Sequence, residues 1–92
     1  MTKNPLCIQL DPARMVHTLQ HEAVEMLGHA GGELILDFSA VRKIDAAAAK
    51  AMEDLADLAD KAFVRIELRA VDIGIYRALK LLKLGPRFTL LP

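Results

Sequence analysis

Four short apolar segments, separated by stretches of helical periodicity, restrict what this chain can fold into more than any other feature. Leu6, Ile8 and Leu10 alternate with Cys7 and Gln9, the period of two that marks a strand with one buried face. Leu34, Leu36 and Phe38 alternate with Glu33, Ile35 and Asp37. Val64, Ile66 and Leu68 alternate with Phe63, Arg65, Glu67 and Arg69, and residues 88–91 read as a short last strand. Between these segments the period changes. Met15, Val16, Leu19, Ala23, Met26 and Leu27 predict the inner stripe of a helix over about 12–29. Ala48, Ala51, Met52, Leu55, Leu58, Ala59 and Ala62 predict a second over about 46–61. Ile75, Leu79 and Leu82 predict a third, from Asp72 or Ile73 to about Leu84.

The residues between elements agree with this division. Asp11 and Pro12 put a capping carboxylate before a proline at the first helical position. Gly31-Gly32 and Gly85-Pro86 stop the first and third helices. Asp45 caps the second, which opens on Ala46, Ala47, Ala48 and Ala49. The order βαβαβαβ implies a parallel sheet. A sheet covered on both faces would read as unbroken aliphatic runs. These strands alternate, so the helices are expected on one face. Right-handed crossovers that all land on one face make the strands advance in one direction. The expected fold is therefore α/β: a two-layer, mostly parallel four-stranded sheet in sequential order with helices on one face. Gln9, Glu33, Asp37, Arg65, Glu67 and Arg69 fall on the other face, with ion pairs worth well under about 1 kcal/mol each. Ile35 and Phe63 are expected there too, a pair that could seed a homodimer.

Ninety-two residues suit one small domain, with its core over about residues 6–91. The net charge is zero, which gives no reason to expect nucleic acid as a partner. The charge is unevenly spread: residues 1–60 carry ten acids and five bases, residues 61–92 two acids and seven bases. A single cysteine, Cys7, excludes an intrachain disulfide and fits a reducing compartment. The N-terminus lacks the pattern of a secretory signal, and no apolar run approaches the roughly 18 residues of a membrane span. A cytoplasmic protein without direct membrane insertion is expected, peripheral to the inner membrane only through a partner.

No catalytic set stands out. Ser39 is the only serine and lacks the small flanking residues of a nucleophile elbow, so a backbone hydrogen bond is its expected role. His17 and His21 are four apart, a spacing a metal could use, but no HExxH pattern accompanies them. Both phosphate-loop patterns are missing. Asp37 and Asp45 could form a carboxylate pair, although capping and surface roles suit them better. The expectation is a protein that is not an enzyme and needs no metal or cofactor.

The segment from Leu34 through Asp37, Phe38, Ser39, Ile44 and Asp45 into a small-residue helix start resembles the STAS domain. That family comprises bacterial anti-sigma factor antagonists and the cytosolic domains of sulfate transporters. Its core is an aliphatic strand ending Leu-Asp-hydrophobic-Ser, a loop, then Ile-Asp-Ser-Ser-Gly-Leu and a helix. Val64 to Leu68 is similar to the family's next strand, and Leu79 to Phe88 to its closing helix and strand. The resemblance spans about residues 6–91. It implies a protein-docking module whose partner is an anti-sigma factor of the kinase type, or the ATPase of a transporter such as the phospholipid type. It also implies a docking surface of Ser39, Lys43, Asp45, Ala46, Ala47, Ala48, Lys50 and Glu53. The family's switch is a serine or threonine directly after the signature aspartate, phosphorylated by the partner kinase. Here that position is Ala46, followed by Ala47 and by Ala48 in place of glycine. The turn keeps its aspartate and has no hydroxyl to phosphorylate.

Overall fold

The structure, a computed structural model, describes residues 6–91. Strands β1 (Leu6–Gln9), β2 (Glu33–Asp37), β3 (Arg65–Arg69) and β4 (Thr89–Leu90) form one sheet in the order β1-β2-β3-β4, all parallel. Helix α1 spans residues 12–27, α2 is Ala46–Ala62 and α3 is Ile73–Leu81. The sequential order and parallel sense are those that one-sided, right-handed crossovers require.

The core lies between the sheet and the helix layer. Ile8, Leu34, Leu36, Ile66 and Leu68 from the sheet, with Leu10 and Phe38 just past the ends of β1 and β2, meet Met15, Leu19, Met52, Leu55, Ile75 and Leu79 from the helices. On the far face the register aligns Glu33 with Arg65, Ile35 with Glu67, and Asp37 with Arg69. Arg65 bonds Glu33 and Arg69 bonds Asp37, both at 3.0 Å. This is the polar face expected from the alternation, with Ile35 half-buried within it.

Helix α1 departs from a uniform α-helix. A 3-10 turn at Pro12–Arg14 leads into α-helix at Met15–His17, a π-turn at Thr18–Glu22 and α-helix again at Ala23–Leu27. It stops two residues short of the expected end. The expected caps are present, Asp11 accepting from the N–H of Ala13 (3.0 Å) and Asp45 from that of Ala48 (2.8 Å); Asp72, one of the two expected starts of the third helix, caps it by accepting from Ile75 N–H (2.9 Å). Helix α3 ends at Leu81 instead of Leu84, and β4 holds only two residues.

Phe63 corrects the alternation. It is not the first residue of β3 and does not join Ile35 on the open sheet face. It is the C-cap of α2, in the left-handed region at φ 57°, and 91% exposed. Val64 donates to the Ala59 carbonyl at 2.9 Å, the six-to-one bond of a Schellman turn, and the β3 ladder begins two residues later than Phe63. A strand-forming aromatic beside alternating residues looked like strand, but the helix end imposed its own geometry. The helix faces also shift. Leu58, Ala62 and Leu82 are exposed, whereas Ala49 and Ala56 are buried. Short methyl side chains let α2 sit close to its neighbours, so alanine goes inside wherever the contact is tight.

Candidate functional site

At the carboxyl edge of the sheet the chain turns from β2 into α2 through residues 38–45, anchored by side chains that point inward. Phe38 and Val41 are fully buried and Ile44 half-buried, so Ser39, Ala40, Arg42, Lys43 and Asp45 face out. Phe38 N–H donates to the Arg69 carbonyl (2.8 Å), tying the turn to the end of β3. Val41 N–H donates to the Phe38 carbonyl (2.9 Å) and closes the bend. Ser39 N–H donates to Asp37 Oδ1 (2.8 Å), an Asx turn in which the aspartate side chain, and not the serine hydroxyl, supplies the backbone bond expected of Ser39. Its N–H first, then its hydroxyl and the Arg69 guanidinium, hold the Asp37 carboxyl below the usual carboxylate range.

Asp45 sits in extended backbone at φ −87°, ψ 178° and closes the first turn of α2. Its side chain takes the Ala48 N–H, and its carbonyl takes the Ala49 N–H at 2.9 Å. The N–H groups of Ala46 and Ala47 precede the helical ladder and keep no partner among the described residues. Both methyls are exposed. Ala46, Lys50 and Glu53 lie four and three residues apart and share one exposed helix face. Lys50 is drawn to Asp54 at 3.1 Å, which raises the lysine pKa.

Beside this turn lies a depression of about 430 Å³. Pro12, Met15 and Val16 of α1 form one wall, Ala40, Arg42 and Lys43 the other, and Asp45 and Ala48 complete it. Arg42 also reaches Asp72, the cap of α3, at 3.8 Å. Of the residues expected at a docking surface, Ser39, Lys43, Asp45, Ala46, Ala47, Lys50 and Glu53 are exposed along the turn and the first two helical turns. Ala48 is buried and reaches the surface only where it lines the depression. The α1 wall and Arg42 were not anticipated. In a parallel sheet the turns following adjacent β1 and β2 meet at the same edge, and that adjacency is the signal that points to Pro12 and Met15.

Other expected groupings separate. Asp37 faces Arg69 while Asp45 caps α2, so the two carboxylates form no pair. His17 and His21 stack with ring centroids 4.4 Å apart, and no third metal-ligating side chain joins them among the described residues. A larger depression, about 640 Å³, lies at the opposite sheet edge by Gly32, Phe63 and Arg87. Its arginines are engaged, Arg87 with Asp57 (2.8 Å) and Asp60 (2.9 Å), Arg65 with Glu33.

The sequence matches no family model. No curated protein matches it significantly. A solved structure, the NMR structure of the protein TM1081, superposes with a TM-score of 0.74 over 92% of this chain and 71% of that one. The two are 15% identical, and the likeness is one of fold.

Proposed function

We propose that this chain is a non-catalytic, protein-binding regulatory module of the STAS kind, similar to anti-sigma factor antagonists, whose partner docks on the Asp45 turn without control by phosphate. The observation that carries this reading is the first turn of α2. Asp45 uses its carboxylate on its own helix, which leaves Ala46 and Ala47 as a thin, open surface beside the depression between α1 and the 38–45 turn. Two methyls and two unsatisfied N–H groups let another chain approach the backbone closely. The helix dipole favours an acidic group from that partner, with Lys43 alongside. Alanine at position 46 offers no oxygen for a phosphoryl group, so occupancy follows the concentrations of the two proteins. The module acts in the cytoplasm.

The test is the affinity of the purified partner, recovered with the full chain from its own cells, for the wild type, Asp45→Lys and Ala47→Arg. Both variants should lose at least about thirty-fold in affinity, the size of an interface hot spot. Ala47→Arg removes no cap and should leave the circular dichroism and melting temperature unchanged. Equal affinity in all three proteins rules the reading out. A partner that is an anti-sigma kinase gives the antagonist role. A transporter ATPase instead would keep the docking site and replace that role.

A further inference from the structure

Helices α2 and α3 end at the same sheet edge, opposite the Asp45 turn, because each feeds the amino end of the next parallel strand. Both ends are built alike. Val64 N–H bonds the Ala59 carbonyl and Leu84 N–H the Leu79 carbonyl, each at 2.9 Å, so both helices close in Schellman turns. Such turns place one residue in the left-handed region, which glycine enters freely and other residues enter at a cost. Here the residues are Phe63 (φ 57°) and Lys83 (φ 59°). Phe63 is 91% exposed, Leu81 84% and Leu82 50%, so these apolar side chains project outward and stabilise little inside the molecule.

The charges at this corner are arranged with them. Asp57 and Asp60 are held by Arg87, and Glu33 by Arg65. Lys61, Lys80 and Lys83 form no ion pair among the described residues, and the Lys80 ammonium lies 5.9 Å from the centre of the Tyr76 ring. Glu22 and Glu25 lie on α1, on the other side of α2. Exposed apolar residues at two helix ends on one sheet edge, with lysines that make no ion pair on the same two ends, match an anionic interface that also accepts apolar groups. A two-fold contact would gather the unpaired lysines of both copies into one interface, whereas a lipid surface supplies phosphates to each.

We propose that this corner rests on an anionic phospholipid surface, with Phe63, Leu81 and Leu82 entering the headgroup layer and Lys61, Lys80 and Lys83 facing the lipid phosphates. No helix of the described residues is long and apolar enough to cross a membrane, so the contact is superficial. It turns the Asp45 edge away from the lipid and leaves it open to a protein.

The test is flotation of the full chain with vesicles of phosphatidylcholine alone, or of phosphatidylcholine and phosphatidylglycerol in equal parts. Partition onto the anionic vesicles only, weakening as salt is raised, is expected. Lys61→Gln and Lys83→Gln should each lower partition about five-fold. Phe63→Gly should lower it while raising the melting temperature, a pair of changes that a purely structural role for Phe63 does not produce. Asp45→Lys should leave partition unchanged, which separates this surface from the docking turn. Three outcomes overturn the proposal: a folded wild type that ignores both vesicles, equal partition onto the neutral ones, and variants that bind as the wild type does. Binding of poly-L-glutamate without vesicle binding assigns the corner to an acidic protein. A dimer dissolved by Leu81→Gln, again without vesicle binding, assigns it to a second copy.

Discussion

Single residues carry the electrostatic detail of the open sheet face. Glu67 shows it most clearly. It lies in β3 with Arg65 at 4.0 Å, and only about a tenth of its side chain reaches solvent. Burial first, then a shared hydrogen bond and repulsion from Glu33, raise its pKa against the pull of Arg65. A carboxyl whose pKa is higher in the folded state binds its proton more tightly there. Its contribution to stability is greatest below the ordinary glutamate value of about 4.3 and declines as pH rises through the raised one. Glu67→Gln removes the titration and keeps the shape. The variant should be the more stable protein at neutral pH, and its advantage should vanish in acid. Urea melts across that pH range check this; a parallel offset at every pH would mean that charge is not the cause.

Among the elements, α2 is the one whose two faces do different work. Ala51 and Ala56 are 2% exposed and hold the helix against its neighbours, while Ala46 and Ala47 open to solvent. Ala51→Leu adds three carbons where there is no room and should cost about 1–3 kcal/mol. Ala47→Leu should change stability by less than about 0.5 kcal/mol. Thermal unfolding of the two variants gives the comparison. Similar losses in both would mean that the first turn is packed against something. Helix periodicity puts Ala51 inside and leaves Ala46 and Ala47 off the inner stripe, as found, but it does not reach Ala56, because a methyl at the margin of a stripe is compatible with either face. Leu58 and Leu82 leave the inner stripe for the related reason that a long apolar side chain at its margin can turn outward, here to 40% and 50% exposure.

The molecule as a whole has a radius of gyration of 12.1 Å and a longest dimension of 37 Å. That radius is close to the roughly 12 Å expected for a compact chain of this length. The Asp45 turn and the Phe63 turn cap opposite ends of α2, a helix of 17 residues and so about 25 Å long. Changes at the two ends should therefore not couple. Asp45→Ala removes a cap and should cost about 1 kcal/mol. Phe63→Gly relieves a left-handed residue and should return up to about 1 kcal/mol. The double variant should sit at their sum within about 0.5 kcal/mol. A larger discrepancy in denaturant melts would show that strain is transmitted along α2.

Much of this was legible in the residues alone, where the controlling forces are local. Alternation over Leu34–Phe38 names a strand with one wet face, and Asp11, Asp45 and Asp72 each bond a backbone N–H within three residues. Chirality then orders four such strands. Local pattern could not place Phe63, because a Schellman turn depends on where the helix stops and how Val64 packs back on Ala59. Nor could it find the depression, whose walls stand about thirty residues apart in sequence and meet only because β1 and β2 are neighbours in the sheet. By itself, then, the sequence determined the elements, their caps and the one-sided sheet, since these follow from backbone hydrogen bonding and side-chain period. Tertiary structure alone decided that Ala49 and Ala56 go inside while Ala62 stays out, which apolar tips stay uncovered and what lies beside Asp45. Those outcomes depend on packing between segments distant in the chain, and local period carries no record of it.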